Sequence, residues 1–425
     1  MMGLMTLLIF LILLVLRVPL AVGMALSSLV YVIAKEIPMQ VLAHKMGYAA
    51  NSFPLLAVPL FVLAGNLMNT SGITDRIFRF ARTLLGHFRG GLAYVNIVAS
   101  LIFSGMSGAA LADVGGLGNV EIKAMTDAGY SRDVACAVTA ASATIGPIFP
   151  PSIPLIIYGA AAEVSGVHLL LGGVVPGLLL TVALMALVFV LAKGDGYPRD
   201  LRCTSLGEIA RAFLHALPAL LTPALLIAGF IGGWFSPTEG AAIAVVYATL
   251  IGAVVYRELD LQRIFRACRD TLVTTGSIMF VVAAASFFSW VLTMEGIPQA
   301  VANLLLGISK ERWALLLLAN VFLLIVGMFM ESTAAILVVT PMLVPVLTRV
   351  GVDPIHFGVV MVLNLMIGLL TPPVGMSLYM VSAVGGISVE RVVRAVAVYF
   401  IPLLAVLLLV TYVPQVVLFL PKFIM

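Results

Sequence analysis

The stretch "IGPIFPPSIP", residues 145–154, decides the fold. Pro147, Pro150 and Pro151 fall within five positions, and Pro154 follows. Proline removes a backbone donor and breaks a helix, yet the surroundings are almost wholly apolar. The 425-residue chain is 62% hydrophobic and 10% charged, with a mean hydropathy of +1.18. A soluble domain carries about 25% charged residues. Apolar runs of about 20 residues, enough for one bilayer crossing, recur from end to end. The chain reads as a polytopic integral membrane protein, and the prolines interrupt one of its spans. Residues 4–33 read as a first span, too long for a signal-peptide core, with Arg17 snorkelling or facing protein. Cys136, Cys203 and Cys268 show no metal or redox spacing. The net charge of +4 carries no nucleic-acid signal, because the basic residues sort by membrane side.

The break has a twin. "IGLLTPPVG" begins at Ile367, and the offset between Gly146 and Gly368 is 222 residues, the same as between Pro150 and Pro372. Upstream, "AGYSRDVACAV" (128–138) pairs with "VGVDPIHFGVV" (350–360), "FSGMSGAAL" (103–111) with "GMFMESTAAIL" (327–337), and "SGIT" (71–74) with "EGIP" (295–298). Four matches in one order indicate an internal repeat.

Lys and Arg collect in cytoplasmic loops. Re-entrant hairpins at 90–118 and 313–347, and broken helices at 134–160 and 355–384, place 16 of the 23 basic residues inside and 6 outside, with Arg17 in a span. Two plain spans in place of each hairpin would expel the basic cluster at 193–211. The predicted fold is therefore all-α, an inverted repeat whose hairpins enter from opposite faces. Residues 1–192 form the first repeat, 193–235 a cytoplasmic linker and extra span near 217–234, and 236–425 the second repeat. "RIFRFAR" (76–82) and "RIFRACR" (263–269) read as amphipathic helices in the inner interface.

Non-helical backbone at membrane depth survives only against protein or a water-filled cavity. Broken helices expose half-helix ends, whose N-termini attract anions and whose carbonyls coordinate cations. An anionic substrate moved with Na⁺ fits that arrangement. The candidate residues are Ser104, Gly105, Ser107 and Gly108 at the first tip, and Gly327, Glu331, Ser332 and Thr333 at the second. Facing them are Thr144, Gly146, Pro147, Pro150 and Ser152 in the first break, and Gly368, Thr371 and Pro372 in the second. Glu331 is the leading intramembrane acid. Asp113 reads as a cap at the cytoplasmic end of the first hairpin, Glu239 as an N-cap, and His168 and His356 as interfacial. For each small residue the competing role is close helix packing.

Two other classes bear on the reading. Gly105–Gly108 fits the Gly-x-Ser-Gly pattern of rhomboid-type intramembrane proteases, but no histidine base lies at that depth in this layout. A passive channel has no need of paired breaks and hairpins.

On these residues the chain resembles the large membrane (DctM-like) subunit of TRAP transporters, tripartite ATP-independent periplasmic transporters. The resemblance rests on 59–118, on "GPIFPPSIPLIIYG" (146–159), on "SPTEGAAIAV" (236–245) and on "TPPVGMSLYM" (371–380). It implies an elevator-type importer in the bacterial inner membrane, coupling uptake of an organic acid such as sialic acid or a dicarboxylate to Na⁺, with no other cofactor. It implies a soluble periplasmic binding protein and a small four-helix membrane subunit as partners, the latter a separate chain. It places Na⁺ between each tip, Ser104–Gly108 and Gly327–Thr333, and its break, 144–152 and 366–373. The extra span is the candidate face for the small subunit.

Overall fold

A computed structural model describes residues 2–16, 18–108, 110–194, 197–198 and 205–423. Arg17, Arg199, Arg202 and Cys203 lie outside the described residues, as do the side chains of Val15, Ala50, Ser107, Leu111 and Ala112.

The chain opens with α1 (Met2–Val15), α2 (Leu20–Ala34), α3 (Met39–Ala50), α4 (Ala57–Thr70) and α5 (Ile73–Leu85). Hairpin 1 is α6 (Gly91–Ser107) and α7 (Ala110–Asp127). The first broken helix is α8 (Arg132–Ser142) and α9 (Ile153–Ala162), and α10 (Gly166–Leu191) follows. Then come α11 (Leu206–Ile231), α12 (Pro237–Leu250), α13 (Leu261–Met294) and α14 (Ile297–Ile308). Hairpin 2 is α15 (Arg312–Phe329) and α16 (Ser332–Arg349). The second broken helix is α17 (Pro354–Gly368) and α18 (Met376–Gly385), and α19 (Val389–Val396), α20 (Phe400–Tyr412) and α21 (Gln415–Lys422) close the chain. Eight helices among the described residues are long and apolar enough to cross a membrane.

Local signals set the ends. Ser131 and Asp353, related by the repeat, cap α8 and α17 through Val134 N and Ile355 N. Ser205–Glu208 and Ser236–Glu239 form capping boxes; the N-cap of α12 is Ser236, and Glu239, read from the sequence as the N-cap, is its third-position partner. Gly72 and Gly296 start α5 and α14 at φ 68° and 70°, a left-handed conformation that glycine adopts without strain.

Several boundaries move. The first apolar run is not one span. Pro19 disfavours helix at and before itself, and α1 folds back on α2, with Gly23 against Phe10 and Leu13. Both ends of this pair meet Glu295, which accepts from Gly3 N at 2.9 Å and Tyr31 Oη at 2.9 Å and lies 3.4 Å from Lys35 Nζ. The Gly3 N–H leads these in holding the Glu295 carboxyl below its usual range. "NVEIKAMTD" contains no breaker, so hairpin 1 extends to Asp127 instead of ending at 118. "RIFRACR" is likewise not a separate interfacial helix. No breaker separates it from the span that follows, so it forms the first turns of the 34-residue α13. The last span runs 389–412, with α21 separate after Pro414.

The two halves are inverted. Tyr158 near the end of α9 donates to Pro354 O at the start of α17, at 2.7 Å. Cys136 near the start of α8 lies against Gly385 at the end of α18. The broken helices therefore run antiparallel. The hairpin bases sit at opposite ends of α20. Tyr130, past hairpin 1, meets Tyr197, whose hydroxyl is 3.4 Å from that of Tyr399. At the other end, Tyr412 donates to Trp313 O at the base of hairpin 2.

Helices α1–α5 and α11–α14 pack on one another and form a frame, while α6–α10 and α15–α21 form a core bundle. Long-range side-chain bonds sort the same way. Within the frame, Asn66 donates to Thr271 at 2.9 Å, Arg76 pairs with Glu258 at 2.6 Å, and Tyr247 donates to Pro218 O. Within the core, Asn320 donates to Thr411 at 3.0 Å and Arg391 pairs with Asp133 at 2.9 Å. Frame meets core where α13 and α14 lie on α16 and where α4 and α11 lie on α6. The chain crosses from one to the other at 86–90, where Arg89 Nη2 donates to Gly194 O at 3.0 Å.

Candidate functional site

Each hairpin tip is tied to its own break by one backbone bond. Ile153 N donates to Gly108 O at 3.3 Å, and Gly375 N donates to Met328 O at 3.2 Å. Ile153 and Gly375 are 222 residues apart and the acceptors Gly108 and Met328 are 220 apart, so the donor repeats with the sequence and the acceptor shifts by two residues. Both breaks contain a cis Pro–Pro bond, Pro150–Pro151 and Pro372–Pro373. The tips approach closely enough to exclude side chains. A Cβ on Gly108, at φ 64°, would sit 2.3 Å from Pro151 O. One on Gly368 would sit 2.6 Å from the Gly327 Cα.

A second repeated feature went unread in the sequence. Asn96 on α6 donates to Thr139 Oγ1 at 2.7 Å and accepts from Ser142 Oγ at 2.7 Å. Asn364 on α17 donates to Asn320 Oδ1 on α15 at 2.8 Å. Ser142 and Asn364 again differ by 222. These buried latches clamp the first arm of each hairpin to the first half of its broken helix. Polar residues at matched repeat positions inside apolar runs were the available signal.

A cavity of about 560 Å³ opens where the tips, the first break and two frame helices meet. Of the predicted residues, Pro147, Glu331, Ser332 and Thr333 line it. Sequence reading missed the frame's share, Asn66 and Asn69 of α4 and Thr274 and Ser277 of α13. These are polar positions in repeat-related spans, which could have drawn notice. The N-termini of α7, α9 and α16 open onto the cavity through Ala110, Ile153 and Ser332. Helix N-termini favour anions, and no Lys or Arg is in the lining.

The remaining candidates surround the cavity. Ser104 donates to Leu101 O and Thr144 to Ala141 O, both at 2.7 Å. Gly105 faces Pro223 of α11. Gly146 and Pro150 lie in the fully buried first break. There Ser152 caps α9 through Leu155 N and donates to Pro147 O. In the second break Thr371 donates to Ile367 O at 2.8 Å, and Pro372 is exposed. The side chain of Ser107 lies outside the described residues.

The acids are distributed unequally. Glu331 caps α16, accepting from Thr333 N at 2.8 Å and from the Ser332 and Thr333 hydroxyls. Asp113 is not at the cytoplasmic end of its hairpin; it lies in the first turn of α7, near the tip. Asp113 and Glu121 are 2% and 1% exposed, and Asp113 Oδ1 and Glu121 Oε1 have no hydrogen-bond partner among the described residues. His356 is also buried, its Nε2 2.8 Å from Val410 O, and is not interfacial.

Residues 7–416 match the family model described as the tripartite ATP-independent periplasmic transporter, DctM component. The chain is 43% identical over 417 residues to the sialic acid TRAP transporter permease protein SiaT of Haemophilus influenzae, covering 98% of this chain and 68% of that protein. It is 48% identical over 383 residues to the sialic acid TRAP transporter large permease protein SiaM of Vibrio cholerae, covering 89% of each. The fold is similar to that of the YdaH transporter of Alcanivorax borkumensis, with a TM-score of 0.61, 15% identity, and 87% and 86% of the two chains covered. A transporter permease, not an enzyme, and a multi-pass protein of the inner membrane, the chain belongs to the DctM family of tripartite ATP-independent periplasmic transporters.

Proposed function

We propose that this chain imports an organic acid together with Na⁺ by sliding its core bundle against its frame. One observation carries the reading: the cavity lies on the frame–core boundary and is lined from both sides. A carboxylate there faces the N-termini of α7 and α9 in place of a basic side chain, the N-terminus of α16 being already capped by Glu331. Na⁺ needs several oxygen ligands, and backbone carbonyls and hydroxyls at the tip–break junctions supply the right type.

Sliding is supported by how the polar contacts divide. Away from the crossover at 86–90, the long-range side-chain hydrogen bonds described above lie within the frame or within the core, which lets each move as a unit. The relatives' names make sialic acid the first substrate to try. By the family resemblance, a periplasmic binding protein delivers the substrate, and a small membrane subunit braces the frame.

The test is uptake into proteoliposomes holding this chain and its small subunit, with a binding protein loaded with sialic acid. Uptake that requires both an inward Na⁺ gradient and the binding protein is expected. Uptake that needs neither contradicts the proposal, and flux at channel rates would indicate a passive pore.

A further inference from the structure

We propose that a second cleft, at the ends of α5 and α10, binds one anionic phospholipid. The cleft holds about 420 Å³. Its walls are apolar, formed by Leu85 and Phe88 at the end of α5 and by Met185 and Phe189 on α10. Its rim carries Arg89 and Lys193, both exposed. Neither is paired with a carboxylate among the described residues. Arg89 donates to Gly194 O, and Lys193 Nζ lies 5.0 Å from the centroid of the Phe189 ring. At the floor Tyr94 is 8% exposed. Its hydroxyl makes no hydrogen bond among the described residues.

Three chemistries thus meet in one cleft: two cations beyond the end of a 26-residue span, a tyrosine at the floor, and apolar walls. The Tyr94 hydroxyl is a donor, and a lipid phosphate or ester oxygen in the cleft can accept from it. Basic pockets between transmembrane helices on the cytoplasmic side suit anionic head groups. Free phosphate would neutralise the rim but leave the walls wet. A phospholipid fills both, with its phosphate between Arg89 and Lys193 and an acyl chain along Phe88 and Phe189. The cleft joins frame (α5) to core (α6, α10), so the lipid would sit on the seam between them.

The experiment places the purified full chain in nanodiscs of phosphatidylcholine doped with phosphatidylglycerol, and reads retained lipid by native mass spectrometry. The wild type should retain phosphatidylglycerol over phosphatidylcholine. Arg89→Gln/Lys193→Gln should retain it about thirtyfold less, from roughly a factor of five per basic residue. Tyr94→Phe should weaken retention of both lipids while leaving the preference for phosphatidylglycerol in place. Equal retention of the two lipids, an unaffected double variant, or displacement of phosphatidylglycerol by inorganic phosphate would each overturn the site. If the double variant does not elute as a single species, the wild-type lipid preference and Tyr94→Phe still decide.

Discussion

Hairpin 2 carries its acid at the tip; hairpin 1 carries two acids inside. Glu331 spends its carboxylate on the first turn of α16. The equivalent position in hairpin 1 is Ala109, and the positions equivalent to Asp113 and Glu121 are Ala335 and Leu343. The breaks differ too. Residues 146–152 are all buried, while Pro372, Pro373 and Val374 are exposed. What repeats is the scaffolding of the site, the backbone bond from each break to its tip and the buried latch; the close glycine contacts fall at different positions, Gly108 on Pro151 and Gly327 on Gly368. What does not repeat is charge and exposure. The difference in charge is fixed by the sequence; the difference in exposure is what the proposed sliding of the core would exchange between the two breaks.

The comparison can be broken most severely at the glycines. Gly368→Ala puts a Cβ against the Gly327 backbone, and Gly108→Ala puts one against Pro151 O in a left-handed conformation. No side chain can rotate to relieve either clash. Each should cost about 3 kcal/mol or more, the upper range for overpacking, and lose uptake. Thermal unfolding in detergent reads this, and tolerance at one tip alone would mean that only the other contact is tight.

The latches come next. Asn96→Ala and Asn320→Ala each leave buried partners unsatisfied and should cost about 1–3 kcal/mol, matched to within about 1 kcal/mol if the latches are equivalent. A large effect in one half only would end the claim of equivalence.

The acids should then split in sign. Glu331→Gln weakens a charged cap and should destabilise by about 1 kcal/mol. Asp113→Asn and Glu121→Gln remove carboxyls buried beside orphaned oxygens and should leave stability unchanged or raise it. Equal destabilisation by all three would show that hairpin 1 holds its acids in contacts as specific as the Glu331 cap.

The smallest difference is between equivalent caps. Asp353 accepts from two backbone N–H groups, Ser131 from one. Asp353→Ala should therefore cost about 1 kcal/mol and Ser131→Ala about half that, read as a difference in unfolding midpoint.

The sequence showed the repeat, the hairpins and the breaks because glycine and proline mark them at fixed offsets. The inverted orientation followed from the arginines. The split first run was not legible, since one Pro19 inside an apolar stretch does not tell a kinked span from a folded pair. Nor did the continuous α13 show, because a basic amphipathic segment looks alike whether it ends or runs on. Within the site, the tips were visible from their small residues. The frame's Asn66, Asn69, Thr274 and Ser277 were not, because the cavity they line exists only once distant helices are packed. The same holds for the surroundings of Gly105, whose neighbour Pro223 is remote in sequence.

The central claim, that core slides against frame, is tested most directly by distance. Val246 on α12 and Val182 on α10 are exposed, on frame and core, and Ile401 on α20 is exposed on the core. Spin labels at these sites, in a background lacking native cysteines, give one cross-boundary pair and one within-core pair. With Na⁺ and a sialic-acid-loaded binding protein, the 182–246 distance should redistribute between two values while the 182–401 distance stays fixed. A fixed 182–246 distance during demonstrable uptake would contradict the account.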